Sequence, residues 1–396
     1  MTASTATSNG SKTVVVVGYG PAAVPAVQKL AAELPADYRL VVVSATTAYW
    51  PVSALRAAIV LGWEDKPVAS VEHAFPQGKR NVLLTGTQVI ELREHSVVVD
   101  KPHPELGSEI AFEYCVLATG SKYAYPCRPR VGATVEEAIA DLRQTQKDVA
   151  AAQSVLIIGG GPVGVELAGE IGEYYSGSNG RPKKRVTLVH SHDRFIHQDG
   201  WSDKFNKSLK TQVEALGTKV VFNAKVSDGP SESGPVEGGS RTFHLDNGET
   251  VDADFVFVAF GSSPNTGFVG EFDPATLNDK RQVKVRPSFQ LDKYPTLFAI
   301  GDITAVDESK LFAHAKNHGA VAAANIVALI RAGESASSTT PPKSYKAGPQ
   351  LMIVSVGTKG GAGQLFGFTV GNWFSSFVKS KSLFVSDFKK MYGATA

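Results

Sequence analysis

Two segments of this chain open in the same way: a short β-branched apolar run, a glycine-rich turn, then a stretch of helical period. Val14-Val15-Val16-Val17 runs into Gly18-Tyr19-Gly20-Pro21-Ala22-Ala23, and Val24, Val27, Leu30 and Leu34 then share one helical face. Ser154 to Ile158 runs into Gly159-Gly160-Gly161-Pro162-Val163-Gly164, and Val163, Leu167, Ile171 and Tyr174 lie along one side of the second helical stretch. The first turn reads G-x-G-x-x-A and the second G-x-G-x-x-G, each in the strand-to-helix setting that gives the pattern its meaning. Gly18 and Gly159 permit the tight turn, Gly20 and Gly161 let a pyrophosphate reach the backbone, and small Ala23 and Gly164 let helix and strand approach closely, with the helix N-terminus facing the negative charge. Two such turns in one chain most economically hold one tight cofactor and one exchanging coenzyme, which points to flavin plus nicotinamide.

At 396 residues the chain is long enough for two or three domains. Apolar runs alternate with helical stretches, so the expected fold is α/β: two Rossmann-like dinucleotide-binding domains, for FAD and NAD(P)H, plus a small C-terminal domain. The expected boundaries are a disordered leader at 1–12, a discontinuous FAD-binding domain at 13–127 and 260–331, an NAD(P)H-binding domain at 128–259 and a C-terminal domain at 345–396. Ser227 to Arg241 reads as a surface loop in a hairpin, and Ala332 to Ser344 as a linker. No apolar run is long enough to span a bilayer. A formal charge of +2, from 40 basic and 38 acidic residues, argues against nucleic acid, and the one dense basic run, Lys183-Lys184-Arg185, reads as a solvated strand entry. Two cysteines, Cys115 and Cys127, cannot build a disulfide scaffold, and a reducing compartment is expected, cytoplasmic or peripheral on a membrane or mitochondrial surface. Thr2 excludes the Met-Gly start of a myristoylation signal.

Further residues carry the nucleotide reading. Ala118-Thr119-Gly120 ends a strand, and Ala259-Phe260-Gly261 repeats the idea, as turns that mark chain crossings between nucleotide domains. Asp302 comes just after the buried run Leu297 to Ile300, where its carboxylate could accept a hydrogen bond from a ribityl hydroxyl or cap a helix. The strand Leu40 to Val43 ends in Ser44 rather than an acidic residue, which weakens the contact to the adenosine ribose of the first cofactor. The strand Arg185 to Val189 ends in His190, followed by Ser191, His192, Asp193 and Arg194, with no carboxylate placed to repel a 2′-phosphate, so NADPH should be tolerated beside NADH.

The order of these motifs resembles the two-dinucleotide-binding-domain flavoproteins of the apoptosis-inducing-factor-like and ferroptosis-suppressor group, relatives of type II NADH dehydrogenases. The likeness also rests on Ser53-Ala54-Leu55-Arg56-Ala57, on Gly164-Val165-Glu166, on Val186 to Ser191, on Ala299-Ile300-Gly301-Asp302 and on Lys379 to Ser386. It implies Gly18, Gly20, Thr119, Gly120 and Asp302 at FAD, and Gly159, Gly161, Gly164 and Glu166 at NAD(P)H; Ala23, Arg56 and Ser44, the last a departure from the group's acidic residue, are further candidates at FAD, and His190 is one at NAD(P)H. It also implies hydride transfer from NADH or NADPH to FAD, and then electron transfer to a quinone or another small acceptor. Disulfide reductases share this fold but pass electrons to a close cysteine pair; Cys115 and Cys127 are spaced unlike one, so the acceptor meets the flavin directly. The rival readings are a redox-gated effector that oxidises NAD(P)H slowly and an oxidase that makes peroxide.

Glu166 and His318 are the candidate catalytic residues. Glu166 is expected at the start of the second nucleotide helix, able to hydrogen-bond nicotinamide or its ribose. His314 and His318 lie four apart in a helix expected from Phe312 to Leu329, but no third ligand accompanies them and no metal is expected. His318 lies near flavin or has a plain polar surface role. Tyr49-Trp50-Pro51 either walls the flavin ring or packs in the core. From Gly371 onward, Trp373, Phe374, Phe377, Phe384 and Phe388 interleave with Lys379, Lys381, Lys389 and Lys390. That pattern suits a segment resting on an anionic membrane, or a small domain packed through its aromatics. Oligomeric state has no sequence signal.

Overall fold

The computed structural model describes residues 12–394 except 77, 79, 178, 179, 199 and 334–342. The expected leader, but for Lys12, and most of the expected linker lie outside the described residues. Contacts divide the chain into two units. The first comprises 1–45, 74–121 and 264–347, and the second 46–73, 122–263 and 348–396. The segments 46–73 and 348–396 thus cluster with the second glycine turn.

Each unit is built on a parallel sheet, as the apolar runs require: strands buried on both faces must be apolar throughout. In the first unit Lys12–Val17 lies between Tyr38–Ser44 and Tyr114–Leu117, with Asn81–Thr85 beyond the former and Leu297–Ala299 beyond the latter. All four pairings are parallel; Val14 lies opposite both Leu40 and Tyr114. In the second unit Ser154–Ile158 lies between Arg185–Val189 and Phe255–Val258, with Thr218–Val221 outside the former. These three pairings are parallel too, and a two-residue antiparallel strand, Gly234–Pro235, closes the other edge. It arises inside the segment expected to be a loop. Both sheets therefore run third, second, first, fourth from one side, the doubly wound order in which the chain reverses direction beside the first strand.

Ala23–Glu33 and Pro162–Tyr174 succeed the two turns. The first buries Ala23, Val24, Ala26, Val27 and Leu30, whereas Leu34, expected on the same face, lies just past the helix end and is half-buried; the second buries every residue from Gly164 to Gly172. Phe312–Ala332 packs on the start of the first helix, so closely at Gly319 that a β-carbon there would collide with the Ala22 carbonyl. The chain from 348 contributes a three-stranded antiparallel sheet, Leu351–Val356, Gly360–Leu365 and Phe368–Val370, and the helix Val385–Met391. Among the described residues no helix is long and apolar enough to cross a membrane.

Candidate functional site

Parallel strands that lie side by side deliver the turns after them to one sheet edge. In the first unit four adjacent strands end in Gly18, Ser44, Ala118-Thr119-Gly120 and, after Ile300, Gly301-Asp302, so the residues expected around the first cofactor share the carboxyl-terminal edge. Gly18 has φ +94°, and a β-carbon there would lie 2.5 Å from the Ala118 carbonyl oxygen, so only glycine lets the first and fourth strands end this close together. A β-carbon on Gly20 would meet nothing within 4 Å, so the backbone is bare on that side, as a pyrophosphate cradle requires. Thr119 and Gly120 are clasped by Asn265: the Thr119 hydroxyl donates to the Asn265 carbonyl (2.7 Å), the Asn265 amide side chain to Thr119 O (2.9 Å), and Asn265 N to Gly120 O (2.9 Å). Asn265 stands far from both motifs in sequence, and nothing local marks it.

Asp302 sits half-buried in a tight turn, Gly301–Ile303, behind which His318 is buried. Gly301 N donates to His318 Nδ1 (3.1 Å), which fixes the imidazole proton on Nε2, and Nε2 meets Glu308 Oε1 at 2.6 Å. Tyr345 OH completes the chain to Glu308 Oε2 (2.7 Å), with the Tyr345 and Phe289 rings against the imidazole. Burial pushes the His318 pKa down to about 4, and with Nδ1 facing an N–H there is no place for a second proton. His318 is only 1% exposed, so it has no surface role. Both ring nitrogens are committed, which makes it a positioning residue for the Asp302 turn. His314 turns its Nδ1 to the Ser309 carbonyl (2.9 Å) and lies 3.5 Å from Glu308 Oε2.

The second unit repeats the turn. Gly159 has φ +119°, and its β-carbon would lie 2.7 Å from Ala259 O; one on Gly164 would collide with the Gly159 carbonyl; Gly161, at the helix N-terminus, is bare. His190 ends the second strand and accepts the Gly160 N–H at Nδ1 (3.0 Å). Gly160 must be glycine because a β-carbon would lie 2.7 Å from that ring.

Glu166 is not in the first turn of its helix, which holds no acidic residue, but in the second, so its interaction with the helix dipole is weaker than expected. It is buried, and Ser355 N (3.0 Å), Ser355 Oγ (3.0 Å) and Lys379 Nζ (2.6 Å) all meet its Oε1. Glu170, one turn on, takes a bidentate pair from Arg56 (both 2.8 Å), whose other donors reach Ser380 O (2.7 Å), Lys381 O (3.1 Å) and Gly357 O (3.4 Å). Glu173 accepts from Thr358 N (2.6 Å) and Thr358 Oγ1 (2.8 Å). Residues 166, 170 and 173 share one helical face, and that face is bound throughout to 355–381 and to Arg56. Arg56, expected at FAD, instead commits every guanidinium nitrogen to Glu170 and to the carbonyls of Gly357, Ser380 and Lys381. Trp50 likewise packs within the second unit: Nε1 donates to Leu383 O (2.7 Å) and the ring stacks on Phe388.

Two of the tail's four lysines turn inward, Lys379 to Glu166 and Lys389 to the Asp65 and Val68 carbonyls, so the exposed positive charge is smaller than the sequence suggests. Lys184 is buried against the Ala150 and Ala152 carbonyls, which breaks up the basic run at 183–185. Trp373 and Phe377, stacked on each other, are 80% and 74% exposed. Cys115 and Cys127 are free and buried; burial raises both thiols, Cys127 to about 12, so neither is a ready thiolate.

The family described as pyridine nucleotide-disulphide oxidoreductase matches residues 12–324. The FAD-dependent oxidoreductase FVFD30 of Flammulina velutipes is 30% identical over 341 residues, 84% of this chain and 97% of that protein. Ferroptosis suppressor protein 1 of Homo sapiens is 28% identical over 385 residues, 96% of this chain and 95% of that one. Apoptosis-inducing factor homolog A of Dictyostelium discoideum is 26% identical, covering 96% and 91%. Among solved structures, the water-forming NADH oxidase of Lactobacillus brevis bound to NADH superposes with a TM-score of 0.66 at 17% identity, covering 89% of this chain and 75% of that one.

Proposed function

The chain belongs to the pyridine nucleotide-disulphide oxidoreductase family, and from that premise we propose that it is an FAD-dependent NAD(P)H:quinone oxidoreductase. Use of a flavin and a nicotinamide nucleotide comes with the family; FAD and the quinone are our reading. The observation that carries it is the pair of matched glycine turns, each with a bare second glycine at a helix start, beside two cysteines that are buried and unpaired.

Gly18, Gly20, Ala23, Thr119, Gly120 and Asp302 would hold FAD, with Ser44 in place of an acidic ribose contact. Gly159, Gly161, Gly164, Glu166 and His190 would hold NAD(P)H. Bound flavin supplies a two-electron acceptor for hydride and a donor to the quinone. The chain's own residues bind and orient. Asn265 fixes the Thr119-Gly120 turn, and His318 and Glu308 fix Gly301 so that the Asp302 carboxylate is presented to a ribityl hydroxyl. Lys379 and Ser355 hold Glu166 Oε1, which leaves Oε2 to orient the nicotinamide carboxamide or ribose. The exposed Trp373 and Phe377 offer an apolar approach for a lipid quinone and a peripheral contact with a membrane surface.

Anaerobic titration of the purified protein with NADH or NADPH, and then with a short-chain quinone, tests the reading. The flavin absorbance should bleach on adding coenzyme and return on adding quinone. No bleaching would refute the coenzyme assignment. Return only on admitting air, with peroxide formed, would favour an oxidase, and oxidation of NAD(P)H too slow to sustain turnover would favour a redox-gated effector. In the same assay Glu166→Gln should slow bleaching without loss of flavin.

A further inference from the structure

Residues 343–347 belong to the first unit, and the chain enters the second only at 348. Tyr345, expected to open the C-terminal domain, is therefore part of the first unit. Two backbone anchors seat this short strap. Asn325, fully buried on the helix Phe312–Ala332, takes the Lys343 N–H at Oδ1 (3.0 Å) and donates from Nδ2 to the carbonyls of Lys343 (2.9 Å) and Ser288 (3.2 Å). The Tyr345 N–H donates to the Pro287 carbonyl (2.7 Å). Seated in this way, the Tyr345 ring lies against His318 (4.6 Å) and Phe289 (5.2 Å), and its hydroxyl donates to Glu308 Oε2 (2.7 Å). Phe289 is buried at φ +69°, in the left-handed region that a bulky side chain avoids, and its ring packs 4.4 Å from His318. Strain of this kind persists only where the surroundings over-determine it.

We propose that 343–347 is a strap on which flavin binding depends: Tyr345, acting through Glu308 and His318, positions the Gly301-Asp302 turn, so that the closed strap and the bound flavin stabilise one another. This rests on reading that turn as a flavin contact. Each link is short and has a fixed direction. Gly301 N donates to His318 Nδ1 (3.1 Å), so the neutral imidazole donates from Nε2, and Glu308 Oε1 accepts at 2.6 Å. Tyr345 OH takes the other carboxylate oxygen. Glu308 is thus held between the ring that fixes the turn and the ring that belongs to the strap. His314 comes within 3.5 Å of Glu308 Oε2, but its Nδ1 is turned to the Ser309 carbonyl (2.9 Å), so it does not replace the tyrosine. Tyr345 is a positioning residue, because it acts on the turn only through this relay.

The strap reaches flavin affinity through the flavin-free chain. A site that needs its turn in one position binds more weakly in proportion to the fraction of the free protein that holds it there. Deleting the Tyr345 hydroxyl takes one donor from a buried carboxylate while the ring packing survives, so the loss falls on the relay. Reciprocity then fixes a second effect. If the closed strap raises flavin affinity by some factor, bound flavin must favour closure of the strap by the same factor. A residue that merely stabilised the fold would weaken the loaded and the flavin-free chain alike, and flavin affinity would not change.

Serial dilution of the intact holoprotein, read by the fluorescence of released flavin, tests the first effect, and amide hydrogen exchange of the full chain with and without flavin tests the second. Tyr345→Phe should weaken flavin binding by about tenfold, the low end of couplings between sites. Asn325→Ala, which frees the strap at its other anchor, should act in the same direction. In the wild-type chain the Lys343 and Tyr345 amides should exchange about tenfold faster once flavin is removed, whereas those of the strand Arg185–Val189 in the second unit should not change. The exchange comparison needs no variant, so it decides the matter even if Tyr345→Phe does not fold. Unchanged flavin affinity in Tyr345→Phe, strap amides indifferent to flavin, or an equal rise in Arg185–Val189 would each overturn the proposal. If Asp302→Ala still lost flavin in that case, the flavin reading of the turn would stand. Full flavin retention in Asp302→Ala would overturn that reading, and the strap proposal with it.

Discussion

His318 in the first unit and His190 in the second each accept a backbone N–H at Nδ1, from Gly301 and Gly160, and each is buried enough that its pKa falls to about 4. They differ at the other nitrogen. His318 Nε2 meets Glu308, which Tyr345 holds in turn, whereas His190 Nε2 has no partner. The same contrast runs through the two turns around them. In the first unit the Thr119-Gly120 turn and the Gly301-Asp302 turn are braced by Asn265 and by His318 with Glu308, as suits a cofactor that stays. In the second, His190 Nδ1 accepts from Gly160 N while His190 Nε2 is buried without a partner. The nucleotide helices differ too: Ala23–Glu33 has its only acidic residue at the end, whereas Pro162–Tyr174 carries Glu166, Glu170 and Glu173 on a single bound face. A completed polar network rigidifies a site, and an unpaired buried polar group in one is costly.

The largest expected effect tests the bound face. Arg56→Ala leaves Glu170 buried without its cation and should cost about 3–5 kcal/mol, read as a fall in the midpoint of thermal unfolding. A drop no greater than that of an exposed control, Arg93→Ala, would mean that the clamp is not structural.

Adding one methyl group separates the two turns. Gly18→Ala and Gly159→Ala each drive a β-carbon into a strand-end carbonyl at positive φ, a strain of about 1–3 kcal/mol. The first variant should purify with little flavin. The second should keep its flavin absorbance but bind NADH and NADPH poorly. Loss of flavin from both would erase the division of labour between the units.

Asp302→Ala should lower flavin occupancy by about tenfold in affinity, the loss of one charge-assisted hydrogen bond of about 1.5 kcal/mol. Ultrafiltration of the holoprotein, with absorbance read on the filtrate, measures it, and unchanged retention would move the ribityl contact elsewhere.

A last effect is on acid stability. Both histidines titrate lower in the folded chain, about 4 against the ordinary 6.5, so the unfolded chain binds more protons between those values and stability falls as pH drops through that window. His318→Gln can keep one donor and one acceptor without titrating and should flatten the fall, as measured by urea unfolding at a series of pH values. An unaltered slope would mean that His318 is not neutral in the fold.

The strand–glycine–helix units were legible because their signals lie within a few dozen residues: apolar runs, turn glycines and helical period are local properties. The same holds for the order of the motifs, and hence for the doubly wound sheets and for the set of residues delivered to one sheet edge. What the chain could not disclose locally were partners distant in sequence. Lys379 counts as a surface charge until Glu166 neutralises it, Arg56 looks free to meet a cofactor until Glu170 takes it, and Asn265 carries no mark at all. His318 and His190 are alike as letters, and only the folded chain decides which nitrogen of each carries the proton and whether that proton has an acceptor. Sequence determined where the backbone must turn, because sterics act over a few bonds; the tertiary structure decided which polar groups were already satisfied, because that depends on what burial brings beside them.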